Sequence, residues 1–309
     1  MKTETGGSHP NKVKLFACLG AVYIIWGSTF LGMKIATEKV PPFLVSGLRF
    51  LLAGSILLMI GRLKEKVWPA PRQLLSAILV GALLIGIGNS AVALAVRYMP
   101  SGLVALIVAA LPAWFIGLDW AFFSKKRPAA LTLSGIFVGF VGLFFLFNPF
   151  SEDTVRDYPL WPIIIVVAGS VSWAFGSLLV QRLPMPTQIT STAIQMLSGA
   201  VLSLLLSAIF EQKWASVFEI TPVTLSAYFY LVFLGSLVGF TSYSWLAKNA
   251  PTRLTATYAY VNPVVALFLG WLVGKENLTL HAVIASGIVV AGVVLMTMGK
   301  QTGLQNDQI

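Results

Sequence analysis

The stretch that decides the fold is Pro251–Glu276, PTRLTATYAYVNPVVALFLGWLVGKE, because the chain carries a second version of it at Pro100–Lys125, PSGLVALIVAALPAWFIGLDWAFFSK. Each reads as one membrane-crossing helix with a proline-hydroxyl start, a long apolar run, a mid-run proline and a charged exit. A shift of 151 positions brings Pro100 onto Pro251, Ser101 onto Thr252, Pro112 onto Pro263 and Trp120 onto Trp271. The same shift brings Gly88 onto Gly239 and Arg97 onto Lys248. Weaker echoes keep the order: Trp26-Gly27-Ser28 with Phe175-Gly176-Ser177 at 149, Arg49 roughly with Gln195 at 146, and Ser134-Gly135-Ile136 with Ser286-Gly287-Ile288 at 152. Small residues recur wherever membrane helices pack, so one match carries little. The shared order and near-constant spacing carry the inference, and a repeat of this length is half a protein, not a solenoid unit.

Of the 309 residues, 57% are apolar and only 10% are charged, and the mean hydropathy is +0.84. Soluble domains have roughly a quarter of their residues charged, so the composition predicts a membrane protein. A net charge of +10 raises nucleic acid as a partner. The basic residues, however, sit in short segments between apolar runs and not on one polar face, which excludes that class. Runs of about 20 residues match a hydrocarbon core of roughly 30 Å. Lipid cannot hydrogen-bond a bare backbone, so each run must be helical. Cys18 is the sole cysteine, which excludes an intramolecular disulfide and a Cys-based metal site. The run from Leu15 to about Ile35 is too long for a signal-peptide core and lacks a small-x-small cleavage site, so it is expected to be a retained helix.

The spans are expected at 14–36, 42–61, 73–97, 100–123, 130–148, 160–181, 188–210, 223–247, 252–273 and 279–299. The fold class is therefore an all-α membrane protein: ten transmembrane helices as two inverted five-helix repeats around a central cavity. The repeats run over 14–148 and 160–299, with an N-terminal tail at 1–13, a linker at 149–159 and a C-terminal tail at 300–309. With the N-terminus in the cytoplasm, fourteen of the 21 Lys and Arg residues fall in cytoplasmic segments and six outside, leaving Arg49 within a span. That bias places both termini in the cytoplasm. Five is an odd number, so the second half enters the membrane in the opposite sense.

Charges inside spans are expensive and mark sites. Arg49 lies about seven residues into the second span, roughly 10 Å deep at 1.5 Å per residue. It either faces the cavity and pairs a substrate carboxylate or snorkels to the surface. Gln195 lies at the mirrored depth in the seventh span, as a second cavity group or as interhelical glue. Asp119, near the cytoplasmic end of the fourth span, is either an interfacial carboxylate paired with Lys125, Lys126 and Arg127 or a proton-carrying site. Trp26, Ser28, Thr29, Asn89, Trp173, Tyr243, Tyr258, Tyr260 and Asn262 lie at mid-depth and complete the set of cavity candidates, against a reading as ordinary packing. An apolar pocket with a few polar handles suits a small organic ligand, and aromatic faces hold cations. Pro112 and Pro263 are expected to kink their helices, as hinges or as static bends. Asn262, beside Pro263, is placed to satisfy carbonyls that the proline frees. No phosphate loop, HExxH, paired acids or catalytic constellation occurs, so no cofactor, metal or enzymatic activity is expected.

These residues resemble the EamA-type family of the drug/metabolite transporter superfamily, and within it the YedA-like inner-membrane members. The carriers of the resemblance are YIIWGSTF at 23–30, LRFLLAG around Arg49 to Gly54, PSGLVALIVAALP at 100–112, SWAFGS at 172–177 and YAYVNPVVALFLG at 258–270 with Gly274 and Glu276. It runs over about residues 14 to 299 and implies ten helices, an inverted repeat and export of small metabolites such as amino acids, or of drugs. The chain departs from symmetry where Gly274-Lys275-Glu276 meets Phe123-Ser124-Lys125, since one copy lacks the acid.

The expected function is a secondary transporter of the cell (plasma or inner) membrane, exporting small amino-acid-like or amphipathic metabolites by alternating access. The alternative is an exporter of cationic or aromatic drugs, with proton antiport as an option; an embedded enzyme or a channel ranks below both. The expected partners are a small-molecule substrate and the lipid bilayer; a monomer could suffice, and the sequence sets no oligomeric state. In a Cys18→Ser background, single cysteines replacing Lys64 and Lys248 should both be protected from an impermeant maleimide in intact cells and both label in inverted membrane vesicles. Labelling from opposite faces would remove the inverted arrangement.

Overall fold

The computed structural model describes residues 12–65, 68–99, 101–147, 159–211, 220–265 and 280–299, and all regular structure among them is helical. In chain order these are α1 (Lys12–Thr37), α2 (Pro42–Lys64), α3 (Pro71–Tyr98), α4 (Ser101–Val108), α5 (Leu111–Leu118), α6 (Ala130–Phe147), α7 (Leu160–Val180), α8 (Gln188–Phe210), α9 (Pro222–Asn249), α10 (Thr252–Thr255), α11 (258–265) and α12 (Leu280–Met298). Among the described residues, α1, α2, α3, α7, α8 and α9 are long and apolar enough to cross a membrane. The shorter apolar stretches Ala130–Phe145 and Val283–Met298 lie in α6 and α12. Prolines open α2, α3 and α9 at the first turn, where the missing N–H has no intrahelical partner to lose.

The fourth run is not one kinked helix. It breaks at Ala109–Ala110, between α4 and α5, and Pro112 sits in the first turn of α5. A proline fits a first turn without cost, so the chain restarts its helix there and does not bend through it. α5 then widens into a π turn at Asp119–Ser124, which stops at Lys125 in the left-handed conformation (φ 55°). The ninth run opens as the short α10 and continues as α11, which carries Pro263. Its remainder, with Trp271, Gly274, Lys275 and Glu276, lies outside the described residues, as do Pro100, residues 149–158 of the expected linker and the tail residues 1–11 and 300–309.

Two pairs of helices run side by side, α2 with α8 and α6 with α12. In lipid there is no hydrophobic drive between helices, so close backbone approach supplies the attraction. At the α6–α12 crossing, a Cβ on Gly292 would lie 2.4 Å from the Gly139 nitrogen, so only glycine fits. Around these pairs, α3 packs on α7 and α8, α9 packs on α1 and α2, and α4 and α5 pack on α7.

The α2–α8 pair is antiparallel and tied at both ends by glutamates. Glu211, just after α8, accepts from the Phe43 and Leu44 backbone N–H groups at 2.8 and 3.0 Å and from the Ser207 hydroxyl at 2.7 Å. Those two N–H groups belong to the first turn of α2 and have no helical partner of their own. Glu65, just after α2, accepts from the Thr187 hydroxyl and from the Thr190 hydroxyl at 2.5 Å, where α8 begins. Burial pushes the Glu65 carboxyl up, but the hydroxyl bonds, with the Thr190 and Ile189 backbone N–H groups, outweigh it and leave its pKa below the ordinary value. The stability it contributes is therefore present above the unfolded carboxylate range and is lost as pH falls through the lowered folded value.

Replacing Glu211 by Ala leaves two buried-end donors unpaired and should destabilise the fold by about 1–3 kcal/mol. The readout is a lower melting temperature in detergent, with Glu211→Gln losing less. An unchanged melting temperature in Glu211→Ala would remove the cap from the stability account.

Candidate substrate cavity

α1, α2, α3, α7, α9 and α11 enclose a cavity of about 80 Å³, with Val108 and Leu111 from either side of the α4–α5 break on its wall. Seven of the residues expected there line it: Trp26, Thr29, Arg49, Asn89, Trp173, Tyr258 and Asn262. The volume holds several waters but is below the roughly 300–1,000 Å³ of drug-sized sites, so a larger ligand needs the walls to part.

Arg49 is 3% exposed. Its Nε donates to the Ser236 hydroxyl at 2.7 Å, and its guanidinium carbon lies 4.7 Å from the Phe50 ring centroid. The one ion pair among the described residues lies elsewhere, between Arg182 and Asp119, so the Arg49 cation faces the cavity without a carboxylate. Within α9 the stretch Leu231–Phe240 is a π-helix. The wider i→i+5 turn loosens the backbone ladder and frees carbonyls for other donors. One of them, Gly235 O, accepts from the Trp26 indole N–H at 3.1 Å. Small residues make this possible: a Cβ on Gly235 would lie 2.7 Å from Arg49 Nη2, and one on Gly239 would lie 2.6 Å from Trp26 Nε1.

Trp26 anchors an aromatic cluster. Its ring centroid is 5.6 Å from Trp173, 4.9 Å from Tyr243 and 5.2 Å from Tyr258. The Trp173 indole donates to the Tyr243 hydroxyl at 2.8 Å, and Ser177 bonds the same hydroxyl at 2.5 Å. Since Trp26 bonds Gly235 and Arg49 bonds Ser236, cation and aromatic faces meet at one turn of α9. On the facing wall, Asn89, the last residue of the π stretch Ala82–Asn89 in α3, donates to Ser46 at 2.9 Å. Thr29 donates to the Trp26 carbonyl at 2.8 Å. Asn262 stands among acceptors, and its amide nitrogen, turned toward them, donates to the Tyr23 and Tyr258 carbonyls at 3.2 and 3.0 Å. It thus bonds a carbonyl in the turn before Pro263, that of Tyr258.

Four expected cavity residues are not on this wall. Ser28 donates to Ile25 O at 2.7 Å and bonds the Tyr230 hydroxyl. Tyr243 lies fully buried behind Trp26 and Trp173. Tyr260 is packed against α6, donating to Ile136 O at 3.3 Å. Gln195 is 1% exposed in the packed face of α8 and donates to Ser191 at 3.0 Å, with its amide oxygen unpaired. Its backbone explains the position: a Cβ on Gly81 of α3 would lie 2.2 Å from Gln195 O, so this part of α8 is pressed against α3. Asp119 pairs at 2.5 Å with Arg182 at the end of α7, not with the Lys125–Arg127 cluster. Sequence reading missed Ser236, Gly235 and Gly239. A Gly-x-x-x-Gly spacing opposite an intramembrane arginine is the signal that points to them. Among the described residues, no group of three His, Cys, Asp or Glu could hold a metal ion.

A multi-pass helical bundle around a cavity whose one charged wall residue among the described residues is a cation fits the class of membrane transporter. The model of the EamA-like transporter family matches residues 13–148 and 160–298, so the chain belongs to that family and is a membrane transporter of its type. It is 37% identical over 287 residues to the uncharacterized inner membrane transporter YedA of Escherichia coli (strain K12), covering 93% of this chain and 91% of that one. It is 26% identical over 288 residues to a probable amino-acid metabolite efflux pump of Salmonella typhimurium, covering 90% of each. A solved crystal structure superposes with a TM-score of 0.71 over 93% of this chain and 98% of its own, at 20% identity, which shows the fold alone.

Gly235→Ala should keep the fold, because the atom its Cβ meets is the far end of a flexible side chain. It should displace the guanidinium and lower transport at least about tenfold, the equivalent of ~1.4 kcal/mol. Measured at equal amounts of folded protein in proteoliposomes, wild-type transport in this variant would remove the guanidinium's placement from the account.

Proposed function

We propose that the protein is a secondary carrier that exports small amino-acid-like or amphipathic organic metabolites across the inner (cell) membrane by alternating access. The observation that carries this reading is Arg49: a buried cation without an acid, beside an aromatic cluster, on the cavity wall. A substrate carboxylate would complete the pair that the fold leaves open, and the Trp26, Trp173 and Tyr258 rings would take an ammonium or an apolar side chain. The name of the Salmonella relative, an amino-acid metabolite efflux pump, agrees with such a cargo.

The scaffold of this carrier is ten helices in two inverted halves, 14–148 and 160–299, with α4–α5 and the α10–α11 run as the fourth and ninth spans. Three observations support it. The family model matches twice, once in each half. Glu65 and Glu211 lie 146 residues apart, the offset that also relates Arg49 to Gln195, and each caps the helix that the other follows. The third helix of each half, α3 and α9, carries a π stretch and packs on the first helix of the other half, α7 and α1. Both termini lie in the cytoplasm on this reading, as the basic residues direct. The break next to Pro112 and, in the ninth run, Pro263 within α11 are where the walls would part.

An exporter of cationic drugs is the weaker reading. A cation brought within 4 Å of Arg49 meets repulsion of about 4 kcal/mol at an effective dielectric of about 20. Proton antiport has only Asp119 to draw on, and Arg182 occupies it. In proteoliposomes, Arg49→Ala should abolish carboxylate transport and improve uptake of organic cations. Cation transport lost and carboxylate transport kept would overturn the cargo assignment. Saturable counterflow separates a carrier from a channel, and comparing metabolites excreted by cells with and without the protein identifies the cargo.

A further inference from the structure

We propose that a second cavity, at the end of the bundle that holds Asp119, is an anion-binding site for the carboxylate or phosphate group of a small solute or a lipid headgroup. It measures about 740 Å³, against about 80 Å³ for the Arg49 cavity. The two lie end to end along α5: Leu111 lines one, and Phe115, one helical turn further, lines the other. The site therefore needs no transport step and stands apart from the carrier reading.

Its charge is one-sided. Among the described residues, Lys126, Arg182 and Arg253 line it with one acid, Asp119. That acid is committed, since Arg182 Nη2 holds it at 2.5 Å. The Arg182 fork is also fixed in place, with Nη1 donating to Leu178 O at 2.7 Å and the guanidinium carbon 4.0 Å from the Phe123 ring centroid. Arg253 is tethered by Nη1 to Gly299 O, which among the described residues uses one of its five N–H donors. Fixed guanidinium forks with donors to spare recognise planar carboxylates and phosphates by paired, charge-assisted hydrogen bonds. Ser124 and Thr252 add hydroxyls to the same wall. A basic cavity between helices, near their ends, is also where an anionic lipid headgroup sits. The chemistry is shared between these two sources, and the experiment separates them.

Trp120 lines this cavity and supplies the signal, isolated by subtracting the Trp120→Phe protein. Full-length protein in phosphatidylcholine nanodiscs is titrated with inorganic phosphate. A saturable change in Trp120 fluorescence is expected, weakened at least about tenfold by Arg253→Gln and by Arg182→Gln, and unchanged by Arg49→Ala. In phosphatidylglycerol nanodiscs, a signal already present without phosphate and insensitive to its addition identifies the headgroup as the occupant. A phosphate response equal in both lipids identifies a free solute. No saturable response in either lipid, or a response that both cavity variants leave intact, overturns the proposal. Where Arg182→Gln fails to fold because Asp119 loses its partner, Arg253→Gln carries the test alone. A lost response in Arg49→Ala would place the anion in the other cavity and also overturn it.

Discussion

A guanidinium cannot shed its proton, so burying one among apolar helices obliges everything around it to adapt. Arg49 shows the adaptation. Ser236 accepts from its Nε, the Phe50 ring covers its carbon, and Gly235 stands aside to admit Nη2. None of these neighbours carries a negative charge. The cation is solvated well enough to be tolerated and too little to be silenced, which is the electrostatic state a binding group for an anion requires.

The same turn of α9 shows how the bundle makes room. A regular helix commits every carbonyl to its own ladder, and lipid offers no substitute partners. The π stretch Leu231–Phe240 releases Gly235 O, and the Trp26 indole takes it, so the irregular backbone is satisfied from within the protein. Irregularity in the α4–α5 break likewise lies on the cavity wall, at Val108 and Leu111. Departures from ideal helix and the cavity thus occur in the same places, because there side chains or water can replace the missing ladder bonds.

The helices were legible in the sequence because lipid permits few alternatives. Once a run of about 20 apolar residues is found, its state and length follow. Arg49 was legible for the same reason, since a charge at that depth needs a purpose. What the sequence hid is relational. Pro112 reads as a kink until the turn at Ala109–Ala110 shows it starting a new helix. Gln195 reads as a cavity group from its depth, but depth does not fix azimuth, and the close contact of α3 with α8 turns it into the packing. Tyr260 fails in the same way, facing α6. Glu65 and Glu211 look like ordinary charged flanks of apolar runs, and only contacts across the α2–α8 pair reveal them as caps.

Those contacts bear on why the two halves differ where they do. At one offset, 146, the helix ends keep the same residue in both halves, glutamate, while the interior pair is Arg49 and Gln195. A cap is a local demand: each antiparallel helix start needs an acceptor whatever happens elsewhere. An interior cation is not local, because the Gln195 position faces the packing of α8 against α3 and not the cavity. A guanidinium buried there would carry its desolvation cost with no counter-charge to offset it. A duplicated bundle can therefore repeat its caps freely but holds only one unpaired charge at its centre. In the proposed repeat, the polarity of the site, with a cationic group contributed by α2 and an aromatic one by α1, α7 and α11, follows from that limit. A cargo with a carboxylate at one end and an ammonium or apolar group at the other matches it in kind.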